Sequence, residues 1–472
     1  MKPYIRSGTL KYVIADFFSA VIGWMFFFIF RKVYNEAFSI TDFNLLIADC
    51  RFFVGIIFIP FCWIMLFWML GFYTNIYRKS RINEIAKTFL VIALGVIILF
   101  FTVMLDDRIV NYRDYYISVG VLLFAQFFFT GASRLIILNN AKRRLLNKKV
   151  GFNTLIIGGN TRAIEIYKEI TKNNYQGYNL IGFLDTNGNS TNGLETYLHC
   201  LGKLNQLPNL IQQLDVEEVI IAIETSEHPR LNNIINLLVN RNVIIKLIPD
   251  TFDILSGSAR MNHLLGAAFI EIYPELMSQW QYNFKRLTDL LVSIVVIILL
   301  SPVYLFCVLR IKFSSVGKIF YQQERIGLYG KPFTIYKFRS MREDAEKNGP
   351  ALSNYNDERI TSFGKVMRKW HLDELPQFFN VLKGEMTLVG PRPERQFFIN
   401  QLVQLAPDYV NIQRAKPGIT SYGMVKFGYA SEVDEMVLRM KFDLLYIENM
   451  SLTLDFKIML YTIKTVWQGK GK

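Results

Sequence analysis

The chain has 472 residues, 51% of them hydrophobic, and carries 53 Lys and Arg against 39 Asp and Glu, a formal charge of +14. That length exceeds one ordinary core and predicts two or three domains; the hydrophobic share and a mean hydropathy of +0.23 exclude an ordinary soluble protein and predict a membrane protein. The positive balance suits nucleic acid, anionic lipid or phosphorylated substrates, and without any nucleic-acid module signature the expected partners are lipid and phosphate, with no nucleic acid.

Four apolar stretches, Tyr12 to Phe30, Phe52 to Tyr73, Ile85 to Leu105 and Tyr115 to Leu138, each approach the roughly 20 residues that cross a hydrocarbon core. The first follows a basic tail and has no small-residue cleavage site, so it is expected to be an anchor and not a signal peptide. Lys2, Arg6, Lys11, Arg78, Lys79, Arg81 and the run from Lys142 to Lys149 fall on one side of these stretches. Residues 1–149 are therefore expected to form a four-helix transmembrane bundle with both ends facing the cytoplasm. The four cysteines, Cys50, Cys62, Cys200 and Cys307, show no C-x-x-C spacing, and neither a disulfide framework nor a zinc site is expected.

From about Gly151 short β-rich apolar runs alternate with amphipathic stretches, the pattern of a doubly wound parallel sheet; residues 150–281 are read as a cytoplasmic Rossmann-like α/β domain. After the first strand come Gly158, Gly159 and Asn160, leading to Ala163, so Asn160 and Ala163 occupy the later glycine positions of G-x-G-x-x-G. Asp185 ends a second strand, where a ribose-binding acid can sit. With the glycine pattern broken, a bound dinucleotide is not expected, and an assembly or regulatory role is the favoured one.

The segment Asp289 to Leu309 is long enough to span, but Lys285 and Arg286 precede it while Arg310, Lys312 and Lys318 follow it. Both ends thus carry the charge of a cytoplasmic flank. Ser301 and Pro302 stand near its middle, where proline removes a helical hydrogen bond and a serine hydroxyl can satisfy the freed carbonyl. A re-entrant helix that bends at Ser301 and Pro302 and returns to the same face and a kinked spanning helix both stay open on pattern alone; the motifs that follow favour the re-entrant helix.

Between Gln322 and Arg395 lie dense polar motifs, "QQERIGLYGKPFTIYKFRSM" and "NDERITSFGKVMRKWHLDELPQFFNVLKGEMTLVGPRPERQ". Asp373 and Glu374 are adjacent acids among apolar Leu372, Leu375, Pro376, Phe378 and Phe379, with Lys365, Arg368 and Lys369 just before them. Carboxylates in such company need a metal or a cation. Arg392 sits between Pro391 and Pro393, which restrict where its planar fork can point.

With "KRLTD" from Lys285 to Asp289, the Ser301-Pro302 break and "LDFKIMLYTIKTVW" near the end, these motifs make the final third resemble the bacterial sugar transferases, the polyprenyl-phosphate glycosylphosphotransferases. The four spans and nucleotide-type domain look like the family's long form. The resemblance implies that residues 282–472 are a monotopic, α-rich catalytic domain at the cytoplasmic face of a bacterial inner membrane. It implies an enzyme that transfers a sugar-1-phosphate from a UDP-sugar, glucose or galactose among the candidates, to undecaprenyl phosphate, releasing UMP, as the first membrane step of exopolysaccharide, capsule or O-antigen synthesis. Asp373 would be the nucleophile that forms a covalent phosphosugar, and Glu374 the metal ligand or assistant, with Asp373 sharing the ion. Mg²⁺ is the expected cation, and Arg392, Lys337, Arg339 and Arg368 are the expected phosphate-binding residues.

His371, before the dyad, is not expected to be a general base, because a phosphate monoester is already ionised; packing or hydrogen bonding is its expected role. In "RAKPGITSYGMVKFGYA" the residues Lys416, Pro417, Gly418 and Thr420 match the family, but Ser421, Tyr422 and Met424 depart from it, so sugar or uridine contacts there are not carried over. Leu454 to Trp467 is amphipathic and suits either a membrane surface or the core. A homodimer is expected from the long form of the family. Two other functions are weighed: a membrane-anchored nucleotide-sugar dehydratase or epimerase, which requires a Tyr-x-x-x-Lys pair not found in the α/β stretch, and a non-catalytic assembly scaffold.

Overall fold

The computed structural model describes residues 3–35, 50–104, 112–172, 177–186, 193–223, 228–238, 241, 243–249, 269–272, 276–314, 317–343, 345, 349 and 357–468. The chain forms two compact units, Met1–Gly151 with Asn174–Gly177, and Phe152–Asn173 with Tyr178–Lys472.

Among the described residues, the first unit holds four helices long and apolar enough to cross a membrane: α1 (Pro3–Asn35), α2 (Cys50–Met69), α3 (Arg81–Leu99) and α4 (Tyr112–Leu146). Their shared core is aromatic, built from Trp24, Phe27, Phe28, Trp63 and Phe67, while Ile57, Phe61 and Leu90 face outward. The second expected span stops at Met69 instead of Tyr73, because Gly71 at φ 76 turns the chain. The third starts four residues earlier than expected, at Arg81, and Leu105, its expected end, lies outside the described residues.

Inside this apolar bundle lies a charged knot that the hydropathy pattern hides. Arg134 of α4 is wholly buried; its Nε and Nη2 donate to Asp16 Oδ1 and Oδ2 at 2.9 and 2.7 Å, and its Nη1 donates to Thr88 Oγ1 at 2.6 Å. Glu84 accepts from the Tyr12 hydroxyl at 2.8 Å and from Lys79 Nζ at 2.7 Å. Two acids thus offset two bases, which allows ionised side chains to sit among the rings of Phe67 and Phe72.

In the second unit, β1 (Phe152–Ile157), β2 (Tyr178–Asp185), β3 (Cys200–Lys203), β4 (Glu218–Ile221), β5 (Ile244–Leu247) and β6 (Ile270–Ile272) form one sheet of order β3-β2-β1-β4-β5-β6. All pairs are parallel except β5 with β6. Alternate residues of β1 serve different layers. Leu155 and Ile157 join one core with α6 (Leu207–Gln213) and α7 (His228–Leu238), and Ile156 joins another with α5 (Thr161–Lys172). A sheet buried on both faces explains the nearly continuous apolar strands.

At the β1–α5 turn, Gly158 has φ +117, and a Cβ there would lie 2.3 Å from the Ala222 carbonyl oxygen. Asn160 Oδ1 accepts the Ala163 N–H at 3.0 Å, and Ala163 is completely buried. The two residues that break the glycine pattern therefore cap and pack the helix.

The remainder begins with α8 (Gln279–Leu299) and α9 (Ser301–Ser314), which meet at Leu300 with a bend of 61°. The hairpin β7 (Phe320–Ile326) and β8 (Pro332–Phe338) follows. Then come α10 (Ser362–Lys369), α11 (Gln377–Lys383), β9 (Thr387–Val389), α12 (Gln396–Leu405), β10 (Gly418–Thr420), α13 (Tyr422–Lys426), α14 (Val433–Glu448) and α15 (Leu452–Trp467). α15 buries Asp455 and Ile458 and exposes Phe456, Leu460, Tyr461, Ile463 and Trp467, so one face packs and the other is an apolar surface.

Lys285 and Arg286, expected to mark a charged flank, work inside this unit. Lys285 Nζ donates to the Val389 carbonyl at 2.8 Å and to Asp455 Oδ2 at 2.5 Å. Arg286 donates to the Val381 and Leu382 carbonyls at 2.7 and 3.0 Å, closing the last turn of α11. Near them, Asp289 Oδ2 accepts from Thr387 Oγ1 at 2.7 Å and Oδ1 from the Leu388 N–H at 3.1 Å. The helix before the bend thereby fixes β9.

Candidate active site

Local rules bring the acid pair into place. Thr361 caps α10, its Oγ1 accepting the Gly364 N–H at 3.0 Å. The helix ends at Lys369, and His371 adopts a left-handed φ of 54, which redirects the chain into a short 3-10 turn, Leu372–Glu374. That turn presents Asp373 and Glu374, 8% and 9% exposed, to a cavity of about 920 Å³.

The opposing wall is β8. Asn380 of α11, fully buried, accepts the Tyr336 N–H at 3.1 Å and donates to the Thr334 carbonyl and to Glu385 Oε2, both at 2.7 Å. This fastens the helix after the dyad to the strand bearing Lys337. Lys337 Nζ then donates to Glu374 Oε1 at 2.8 Å. Arg392 reaches the same oxygen through Nη2 at 3.3 Å.

Arg392 leaves the end of β9, where β9 and β10 approach closely. A Cβ on Gly418 would lie 2.1 Å from the Gly390 nitrogen, so only glycine fits that contact. The Arg392 guanidinium lies 5.3 Å from the centre of the Tyr429 ring. Tyr429 also stacks on His371, and its hydroxyl lies 3.1 Å from His371 Nδ1. His371 is thus a packing and hydrogen-bonding residue here.

The two acids are pushed apart electrostatically. Burial and the neighbouring Glu374 raise Asp373 above the ordinary carboxylate range, against Lys337, Arg368 and His371. For Glu374 burial also acts upward, but Lys337, Arg392 and His371 prevail and hold it well below that range. Glu374 is therefore the fixed anion, and Asp373 the carboxylate whose charge depends on what enters the cavity.

Lys337, Arg339, Arg368, Asp373, Glu374 and Arg392, all expected from the sequence, border this one cavity. Arg368 Nε donates to Ser340 Oγ at 3.0 Å, and Arg339 is 7% exposed. Ser301 and Pro302 do not border it; they open α9 at the bend, on the exposed side. Further lining residues escaped sequence reasoning: Arg325, Glu394, Tyr429 and Arg439. Arg325 and Glu394 stand within the quoted "QQERIG" and "GPRPE" strings, and their density of polar residues was the available signal. Among the described residues no group of three or more His, Cys, Asp or Glu forms a metal cage.

A family model described as bacterial sugar transferase matches residues 280–469, and one described as a CoA-binding domain matches residues 68–249. The chain is 31% identical over 322 residues to a UDP-glucose:undecaprenyl-phosphate glucose-1-phosphate transferase of Klebsiella pneumoniae, covering 67% of this chain and 68% of the relative. A UDP-N-acetylgalactosamine-undecaprenyl-phosphate N-acetylgalactosaminephosphotransferase of Aeromonas hydrophila is 40% identical over 228 residues, 48% of this chain and 52% of that protein. A UDP-glucose:undecaprenyl-phosphate glucose-1-phosphate transferase of Escherichia coli (strain K12) is 33% identical over 265 residues, 56% of this chain and 57% of its own length.

Proposed function

The chain belongs to the bacterial sugar transferase family, and we propose that it moves a sugar-1-phosphate from a UDP-sugar to undecaprenyl phosphate, releasing UMP. The observation that carries this is the buried Asp373-Glu374 pair, with Glu374 neutralised by Lys337 and Arg392, in a cavity with a basic lining. The relatives' names, each pairing a UDP-sugar with undecaprenyl phosphate, support it. Another relative, named as an exopolysaccharide production protein of Sinorhizobium fredii (strain NBRC 101917 / NGR234), favours a place in surface-polysaccharide synthesis.

In this mechanism an Asp373 oxygen attacks the β-phosphorus, and the bond from that phosphorus to the bridging oxygen breaks. The electron pair leaves on UMP. A phosphate oxygen of the lipid then attacks the phosphosugar held on Asp373 and restores the carboxylate. Lys337 and Arg392 hold Glu374 ionised, and their remaining hydrogen-bond capacity is available to phosphoryl oxygens. Asp373 and Glu374 together suit Mg²⁺, which is commonly held by one or two carboxylates with substrate phosphates completing its shell. Such an ion would supply charge neutralisation and favour ionised Asp373.

The helix pair around the 61° bend is taken as a re-entrant element that seats this site at the cytoplasmic face of the inner membrane. The sheet order supports a Rossmann-like domain. Purified protein incubated with radiolabelled UDP-hexoses, Mg²⁺ and undecaprenyl phosphate should release UMP and form a lipid-linked product. Asp373→Asn should abolish both; unchanged turnover in that variant would sink the nucleophile assignment.

A further inference from the structure

The proposed mechanism leaves one cluster on the cavity wall unused. Glu394 is buried and bridges two arginines, accepting from Arg439 Nη2 on Oε1 at 2.6 Å and from Arg325 Nη1 on Oε2 at 3.3 Å. Arg325 Nη1 also donates to the Pro393 carbonyl at 3.1 Å. That carbonyl belongs to the residue immediately after Arg392, so the Arg325 and Arg392 guanidiniums are neighbours on one wall.

Both oxygens of Glu394 are engaged, and one carboxylate faces two guanidiniums, leaving an excess positive charge beside Arg392. Arg325 retains 19% of its side-chain exposure. Its Nη1 is committed to Glu394 and Pro393, while no protein acceptor for Nη2 is found among the described residues. Burial, reinforced by Arg392 and Arg395 and opposed by Glu394, pulls Arg325 below the ordinary guanidinium range. Basic groups gathered so closely, with too few acids among them, make a site for an anion.

Resting on the transferase reading above, we propose that Arg325 is a further catalytic residue. It binds the α-phosphate of the nucleoside diphosphate sugar and receives the charge that appears on the departing nucleoside monophosphate. Glu394 and Arg439 position it. When the Asp373 oxygen bonds to the β-phosphorus and the bridging P–O bond breaks, the electron pair passes to an oxygen of the α-phosphate. No proton transfer is required, because the UMP oxyanion is held by the guanidinium. In the second step the lipid phosphate attacks in line from the side that the α-phosphate has left, so the same guanidinium receives it.

Both steps supply the test. Single-turnover UMP release from a radiolabelled UDP-sugar is measured without lipid acceptor, and transfer from the isolated, labelled phosphosugar-enzyme to undecaprenyl phosphate is measured separately. Arg325→Gln should slow UMP release by roughly 10- to 100-fold, the usual worth of one charged hydrogen bond, and slow the lipid step as well, while thermal melting in detergent stays at the wild-type temperature. Arg325→Lys, which keeps the charge without the fork, should recover part of the loss and carries the test if the glutamine variant does not fold. Slowing accompanied by a lowered melt and by no recovery in Arg325→Lys would assign Arg325 a merely structural role, and no slowing of UMP release would exclude phosphate contact; either overturns the proposal. Wild-type protein that releases no UMP would instead sink the transferase reading itself.

Discussion

Replacing Lys337 by methionine removes an ammonium and keeps most of the side-chain volume. Its Nζ lies 2.8 Å from Glu374 Oε1, with the two side chains 18% and 11% exposed. Losing one partner of a buried pair costs roughly 3–5 kcal/mol. Arg392 remains 3.3 Å from the same oxygen, which reduces the expected loss to about 2–3 kcal/mol, on the order of 30- to 150-fold in kcat/KM if the pair serves the chemistry. The pH dependence gives a second readout. Burial pushes Glu374 upward, and Lys337, Arg392 and His371 hold it down. A depressed carboxylate contributes stability that is fully present above its unfolded pKa of about 4.3 and is lost as pH falls through the folded value. Removing Lys337 raises that folded value, so the acid limb of both stability and UMP release should move to higher pH. Initial rates of UMP release over a pH series measure this directly. A methionine variant within about threefold of wild type, with an unmoved acid limb, would refute the claim that Lys337 neutralises the dyad.

Asp289→Ala should remove the acceptors of Thr387 Oγ1 and the Leu388 N–H, costing about 3–6 kcal/mol for two hydrogen bonds to a charged group. Thermal melting in detergent should fall and activity with it, since β9 leads to Arg392; an unaltered melt would show that Asp289 does not anchor the strand. In the bundle, Arg134→Leu strands buried Asp16 without its bidentate partner and should cost roughly 3–5 kcal/mol. Limited proteolysis should detect the loosened bundle, and Asp16→Asn in the same chain should restore part of the resistance. No restoration would mean that the arginine acts through packing alone.

What could be read in advance divides along physical lines. Elements that repeat a pattern locally were legible: the four apolar helices, the alternation of β-rich and amphipathic runs, and the break at Ser301 and Pro302 that the structure realises as a 61° bend. The acid dyad was legible because two adjacent carboxylates in an apolar string demand cations, and Lys337 and Arg392 supply them. What remained hidden depends on groups distant in sequence. Arg134 and Asp16 lie 118 residues apart, and within a hydropathy window each only dilutes an apolar average. Arg325 and Glu394, 69 residues apart, look like surface charge until the fold puts them on one wall.

Lys285 and Arg286 show the converse, where residues that satisfy a local rule also serve a second purpose. Charge beside an apolar helix ordinarily marks a cytoplasmic flank, yet these two side chains bind carbonyls of β9 and α11 and the carboxylate of Asp455. Their positions are explained by the need to secure α11 and the strand that leads to Arg392, whatever side of the membrane they occupy. Arg310 and Lys312 after the bend, and the bend itself, are therefore the features that bear on which side of the membrane the site occupies. Cysteine labelling on either side of Leu300 tests it independently: positions after Arg310 that react only from outside the cell would show a spanning helix, and would separate the site from any cytoplasmic pool of nucleotide sugar.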